Sequence, residues 1–366
     1  MSKWTETALT KRLGIPYPII QGPMGGGFST PLLVSSVSNA GGLGSLGVFH
    51  LSPEDILRAA DEIRQSTSRP FGLNLWVSNH DEAAKDYPLH RLEEGMDWME
   101  PYYRELGLQR PAQPPSLTYQ DFEAQAAAVI EARPAVFSFV FGIPSESILE
   151  RCRRQGILTV GAATTLDEAE ALQEAGVDMI VASGLEAGGH RPSFMAEAED
   201  SLVGTLPLLR QIVSKVGLPV IAAGGIADGA GAAAALTGGA AAVQLGTAFL
   251  ACEESGAPPL HRRMLFSPEA RHTLLTRVFS GRLARSIRNR LYEEWTETSA
   301  PIAPYPLQGR LAGTLRQAAI EQGRSDLISL WSGQAAPLLR HRQAAELMGS
   351  LVAEVESALA GKRSSQ

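Results

Sequence analysis

Cysteine is nearly absent from this 366-residue chain: only Cys152 and Cys252 occur, and neither has a neighbour at metal-ligand or redox spacing. That scarcity argues against a disulfide framework and against a zinc site, and it fits a reducing compartment. A basic surplus is also missing. With 32 Lys and Arg against 39 Asp and Glu, the formal net charge is −7. No positive field is available to displace counterions from a nucleic acid. Long apolar runs are lacking too, each being short and interrupted by Gly, well below the ~20 residues of a membrane span. The N-terminal stretch is polar and charged, without the apolar segment of a signal peptide. The expectation is a cytoplasmic protein with no nucleic-acid or membrane partner.

What the chain does have is 44% hydrophobic and 19% charged residues, the composition of a globular protein. Its length suggests one large α/β domain with a smaller one appended. Eight short runs rich in Val, Ile, Leu and Ala are expected as strands, at 18–24, 43–49, 71–77, 135–141, 158–163, 179–184, 219–225 and 241–249. They are apolar on both faces, as in strands covered on both sides by helices. Helix starts are marked by Ser52-Pro53-Glu54-Asp55 and by Thr165-Leu166-Asp167-Glu168, the latter with the form of a capping box.

Eight strand–helix units match a (β/α)8 barrel, of the TIM-barrel class, with an open doubly wound sheet as the alternative architecture. Most strand starts lie about one βα unit apart, but two gaps are longer. One holds a polar insertion at about 78–116, the other the segment 185–200 after the sixth strand. In a barrel both fall on the face of the C-terminal strand ends, where extra length commonly builds a substrate pocket. Near residue 257 the pattern changes to helical and Arg-rich. The expected division is therefore 1–257 as barrel and 258–366 as an α-helical C-terminal cap domain.

Candidate site residues follow from the strand ends. The seventh strand stops at Gly224-Gly225, and the eighth ends in Gln244-Leu245-Gly246-Thr247. Glycines there let backbone amides approach a phosphate, and the helix opened by Asp228 adds a favourable dipole. The alternative is that these glycines only make tight turns. The first strand runs into Gln21-Gly22-Pro23-Met24-Gly25-Gly26, whose small residues let a flat ring lie on the backbone. Asn74, between Leu73 and Leu75, needs partners for its amide if buried. A ligand edge or a neighbouring strand would supply them. Among the histidines only His190 follows a glycine pair, Gly188-Gly189, inside an insertion, and an imidazole is a competent base near neutral pH. The Arg-rich stretch from Arg282 to Arg290 reads as a solvated or internally paired face.

Together, Gln21-Gly-Pro-Met-Gly-Gly26, Phe71-Gly-Leu-Asn74, Phe141-Gly-Ile-Pro144, Glu186-Ala-Gly-Gly-His190, Ala222-Ala-Gly-Gly-Ile226 and Gln244-Leu-Gly-Thr247 resemble the nitronate monooxygenase family. Pro304-Tyr-Pro-Leu-Gln308 and Trp331-Ser-Gly-Gln334 resemble its class I branch. The resemblance implies an FMN-dependent, metal-free oxidoreductase that converts alkyl nitronates and O2 to a carbonyl compound and nitrite. It implies His190 as the general base toward a neutral nitroalkane. Flavin contacts are implied at Gly22, Pro23, Met24, Asn74, Ser183, Gly188, Gly189, Gly224, Gly225, Gln244, Leu245, Gly246 and Thr247. The expected partners are a nitronate or nitroalkane and O2, with a homodimer left open. Two departures stand out: Ser183 occupies a place where members commonly carry Gln, and Arg191-Pro192-Ser193-Phe194 replaces small residues after the His. The alternatives kept alongside are an FMN-dependent NAD(P)H reductase of enoyl-thioester or quinone type, and a non-catalytic barrel that binds a phosphate ligand.

Overall fold

The computed structural model describes residues 4–117 and 119–361. In chain order its strands are β1 (Ile19–Gln21), β2 (Gly44–Gly47), β3 (Phe71–Trp76), β4 (Val136–Val140), β5 (Leu158–Ala163), β6 (Met179–Ser183), β7 (Gly189–His190), β8 (Val220–Ala223), β9 (Ala242–Leu245), β10 (Thr273–Thr276) and β11 (Ala284–Ile287). Eight of them form one parallel sheet in the order β1-β9-β8-β6-β5-β4-β3-β2. A bridge between Ile20 and Leu43 joins its two edges, with Gln21 N donating to Leu43 O and Leu43 N to Ile19 O, both at 2.9 Å. The sheet is thereby a TIM barrel. Each expected strand is present, that at 158–163 in full and the others shorter than their apolar runs.

Strand alternation divides the apolar residues between two layers. Ile20, Val160, Met179, Val181, Ile221 and Ala242 point into the barrel and pack with Leu9 and Ile15 from the N-terminal segment. Their neighbours Ile19, Leu73, Phe137, Ile180, Val220, Val243 and Leu245 point outward into the main core beneath the helices. The same period of two sends Asn74, Trp76, Ser183, Ala223 and Gln244 inward at the C-terminal end of the barrel.

Helix capping follows the sequence in part. Ser52 accepts from Asp55 N and starts helix Pro53–Ser66; Thr165 accepts from Glu168 N and starts Leu166–Glu174. The Glu168 carboxylate, however, does not complete the capping box. It is buried, accepting from Thr164 N and Oγ1 and from Phe194 N and Met195 N across the fold. A buried carboxylate is tolerable with donors on both oxygens, and here it ties the segment after His190 to the barrel.

The C-terminal region, expected to be a mostly helical cap over 258–366, carries strands as well as helices. It contains β10 and β11, which form an antiparallel sheet with β7 in the order β10-β11-β7. Its last helix, Ala344–Leu359, leaves the cap and packs against barrel helices Gly229–Thr237 and Pro31–Asn39, with Leu347, Met348, Leu351 and Val355 in the main core. A Cβ on Gly229 would lie 2.2 Å from Glu354 Cβ. The Ala- and Gly-rich helix 229–237 is thus built for close approach. The insertion at 78–116 likewise serves packing: Met96, Met99, Tyr102 and Tyr103 share a second core with Trp295, Leu311 and Leu315. Tyr102 Oη donates to Glu294, and Arg290 pairs with both Glu105 and Glu294.

Candidate active site

A cavity of about 370 Å³ opens at the C-terminal mouth of the barrel, within the range of small-molecule sites. Its floor is made of inward residues that are small, Ala162, Ser183 and Ala223, flanked by the amides of Asn74 and Gln244. Of the residues expected at a site, Gly22, Pro23, Met24, Asn74, Ser183, Gly188, Gly189, His190, Gly224, Gly225, Gln244, Gly246 and Thr247 all line it. Leu245 does not. It faces outward, fully buried in the helix-side core, because it alternates with Gln244, and only its carbonyl reaches inward, accepting from Gly22 N at 2.8 Å.

The glycines are required by close approach. Gly224 and Gly225 have φ of 110° and 67°, and a Cβ on Gly188 would stand 2.5 Å from Gly333 N. Thr247 Oγ1 accepts from Gly333 N at 2.9 Å, so the cap segment beginning at Trp331 is fastened to the end of β9. The helix after Asp228 differs from expectation. Asp228 accepts from Gly231 N, and Glu354 accepts from Gly229 N. Two carboxylates of the chain thus already occupy its first turn, while Gly224, Gly225, Gly246 and Thr247 line the cavity.

Asn74 Nδ2 donates to Ser138 Oγ at 3.0 Å, the neighbouring-strand partner anticipated for it, while the residue also borders the cavity. His190, in β7, is paired with Ala284 of β11. Its Nε2 lies 2.9 Å from Ser280 Oγ, and that hydroxyl donates to Arg282 O at 3.1 Å. A serine proton given to that carbonyl puts hydrogen on Nε2 and leaves the lone pair on Nδ1, whereas one given to Nε2 reverses the two nitrogens. The ring is walled by Trp76, Trp331 and Tyr305 at centroid distances of 5.1, 5.3 and 6.0 Å. Burial among these rings, with a smaller repulsion from Arg282, pushes the imidazole pKa down to about 3.

Arg282 was not distinguished from its Arg-rich surroundings by sequence. It is buried beneath the histidine's wall, 2.8 Å from Asp81, and its guanidinium lies 4.2 Å from the Phe141 ring centroid and 4.6 Å from that of Tyr305. Arg285 is buried as well and donates twice to Leu185 O. Arg282 and Arg285 are therefore internally paired and buried, while Arg288 is solvated and pairs with Glu293. Arg191 is also structural: it donates to Ser183 O, Gly184 O and Ser201 O at 2.7–2.9 Å, clamping the loop that follows β6. His50 and His80, the other histidines beyond strand ends, do not line the cavity. Trp76 could have been found by period two, as the next inward position after Asn74; Ser280, Tyr305 and Trp331 come from the cap and carry no such signal.

Glycine-built walls over a barrel mouth, beside one neutral imidazole, define the site of a barrel enzyme acting on a small molecule. The model of the nitronate monooxygenase family matches residues 6–354. A probable nitronate monooxygenase of Staphylococcus aureus is 40% identical over 353 residues, covering 96% of this chain and 98% of that one. A nitroalkane oxidase from Streptomyces ansochromogenes superposes with a TM-score of 0.88 at 38% identity, covering 97% of this chain and 99% of that one. FabK from Thermotoga maritima gives a TM-score of 0.75 at 28% identity, covering 97% and 98%. The chain belongs to the nitronate monooxygenase family and is an oxidoreductase. Among the described residues no helix is long and apolar enough to cross a membrane.

Proposed function

We propose that the cavity holds FMN and that the protein oxidises alkyl nitronates, and nitroalkanes after proton removal, to a carbonyl compound and nitrite with O2 as oxidant. The observation that carries this reading is the neutral His190 beside glycine-built walls in one cavity of a nitronate monooxygenase family member. The residues fit the cofactor: backbone at Gly224, Gly225, Gly246 and Thr247 would hold its phosphate. Gly22, Pro23, Met24, Gly188 and Gly189 leave room for a flat ring, and the Asn74, Ser183 and Gln244 side chains would supply hydrogen bonds to its polar groups. When bound, FMN supplies the electron transfer between substrate and oxygen.

The chain's own contribution is a proton transfer in a largely apolar pocket. The free ring nitrogen of His190 takes the α-proton of a neutral nitroalkane; the C–H pair is left on the substrate and becomes the nitronate, with its charge on the nitro oxygens. Ser280 holds the ring through Nε2, while Trp76, Trp331 and Tyr305 limit the water that reaches the imidazole. Arg282, held by Asp81, opposes the imidazolium and so favours return of the proton once the substrate has reacted. A preformed nitronate needs no such step.

The test is purified protein under anaerobic conditions. A yellow protein, bleached by a nitronate and recoloured by O2 with release of nitrite, is the expected result. Colourless protein that takes up no added FMN refutes the cofactor, and a yellow protein indifferent to nitronates refutes the substrate. A second reading, an NAD(P)H-dependent reductase on the same barrel, has rapid bleaching by NADH or NADPH alone as its signature.

A further inference from the structure

The neutral imidazole of His190 has one proton and two nitrogens to place it on, and the base is whichever nitrogen is left bare. Its Nε2 stands 2.9 Å from Ser280 Oγ. Nδ1 meets no donor or acceptor among the described residues, and the ring borders the cavity. The choice between the nitrogens therefore lies with one hydroxyl. Ser280 Oγ is also 3.1 Å from Arg282 O, and among the described residues that carbonyl accepts from nothing else.

Counting donors separates the two arrangements. When the serine proton goes to Arg282 O, the hydroxyl oxygen accepts from Nε2–H, and carbonyl, hydroxyl and Nε2 are all paired. When it goes to Nε2, the carbonyl loses its donor and the hydrogen on Nδ1 finds no acceptor in the chain. The first arrangement makes two hydrogen bonds where the second makes one. Ser280 and Arg282 are 5% and 7% exposed, and a polar group left unpaired at such depth is costly. The surrounding backbone is held on both sides of the serine. Ser280 N and Gly281 N donate to Arg277 O at 3.2 and 2.8 Å, and Gln308, fully buried, donates to Val278 O at 2.7 Å. The Arg282 side chain is tied to Asp81 and Ser78, and His190 is registered against Ala284. The hydroxyl is thus presented to Nε2 and to the carbonyl together.

We propose that Ser280 is a positioning residue for His190: by giving its proton to the Arg282 carbonyl, it holds the imidazole as the Nε2–H tautomer and makes Nδ1 the nitrogen that removes the α-proton. This assignment rests on the base role proposed for His190. In that step the substrate C–H bond breaks and an Nδ1–H bond forms, the electron pair staying on the nitronate. The hydrogen on Nε2 does not move. It is donated to Ser280 before and after the transfer, so the same hydroxyl steadies the imidazolium against the repulsion of Arg282. A hydroxyl that is itself donating accepts more strongly, because one hydrogen bond polarises the next.

The test is a long-range proton–nitrogen correlation spectrum, at neutral pH, of the FMN-loaded protein labelled with nitrogen-15 at histidine. The His190 signals are those missing from His190→Gln. The wild type should show a bare Nδ1 and a protonated Nε2. Ser280→Ala should show a substantial share of the Nδ1–H form, and Ser280→Thr, which keeps the hydroxyl, should restore the wild-type pattern. In parallel, Ser280→Ala should lower kcat with a neutral nitroalkane roughly 10- to 100-fold. KM, FMN affinity and turnover of a preformed nitronate, which needs no base, should stay within about threefold.

Hydrogen on Nδ1 in the wild type overturns the assignment, as does an unchanged tautomer in Ser280→Ala. Equal losses on nitroalkane and nitronate also overturn it, since the serine then serves packing alone. Should Ser280→Ala not fold, Ser280→Cys takes its place with the same outcomes, because a thiol is a weak donor and acceptor. If the wild type oxidises neither compound, the proposed function fails by itself and the spectra alone decide Ser280. An Nε2–H tautomer lost in Ser280→Ala then supports the hydroxyl's role, and any other pattern overturns it.

Discussion

The burial of His190 makes a quantitative statement about acid. A displacement of its pKa from 6.5 to about 3 corresponds to at most ~5 kcal/mol between charged and neutral imidazole. The ring is not wholly shut off, because it borders the cavity, and water there returns part of the lost solvation. Halving the penalty places the midpoint near ~5, so the expected range is about 3 to 5. The assay is kcat/KM against pH with a neutral nitroalkane, since that ratio titrates the free enzyme. The profile should stay flat as pH falls from 7 to about 5.5, then drop. Stability follows the same sign. The folded imidazole releases its proton more readily than the unfolded one, so below pH 6.5 the unfolded chain binds more protons. The native state is then fully stable above 6.5 and loses up to ~1.4 kcal/mol per pH unit down to the folded midpoint. An acid limb centred near 6.5 refutes the argument, as does a limb unchanged in His190→Gln. Circular dichroism at each pH separates titration from acid unfolding.

Three further outcomes follow from named contacts. His190→Gln should lower kcat/KM for a neutral nitroalkane by ~10²–10⁴ and spare a preformed nitronate within about tenfold; equal losses on both would remove the base assignment. Gly188→Ala puts a methyl group 2.5 Å from Gly333 N and 2.6 Å from Ser332 C, backbone atoms that cannot swing aside. Overpacking of ~1–3 kcal/mol should weaken FMN binding roughly tenfold by titration while far-ultraviolet dichroism is unchanged. Glu168→Ala strips the acceptors from Thr164 N, Phe194 N and Met195 N. With ~1–3 kcal/mol for each buried orphan donor, a loss of ~3 kcal/mol and a Tm lowered by about 4 °C is expected in a thermal melt; an unchanged Tm would show that water replaces the carboxylate.

The barrel was legible because its strands obey one rule throughout. Runs such as Met179–Ser183 and Val220–Ala223 are buried on both faces, so only Ser183, at the C-terminal end of the first, is polar, and glycines follow where the backbone turns at the barrel mouth. The same rule, applied one residue more finely, rejects Leu245: alternation sends Gln244 in and Leu245 out. Helix Ala344–Leu359 was misplaced for a different reason. Its apolar stripe fits a cap and a barrel equally well, and only its partners on helices Gly229–Thr237 and Pro31–Asn39 decide. Local pattern does not carry that information.

The site was legible where backbone makes it and illegible where the cap does. Gly188, Gly224 and Gly225 announce themselves because no other residue fits, and Gly188-Gly189 marks His190. The groups that tune the histidine come from 90 or more residues further on. Ser280 meets its Nε2, Arg282 opposes its charge, and Tyr305 and Trp331 wall it. Arginine in a polar stretch ordinarily signals solvent, yet Arg191, Arg282 and Arg285 are at most 7% exposed. Each is affordable only because carbonyls, a carboxylate or ring faces meet its guanidinium. Their common location explains the pattern. Arg191, from the loop beyond β7, gathers the end of β6, while Arg282 and Arg285 cross from the cap to Ser78, Asp81 and Leu185 at the barrel rim. The lid over the cavity is thus held to the barrel by directed polar contacts at its edge, which leaves the rings of Trp76, Tyr305 and Trp331 to line the cavity beside His190.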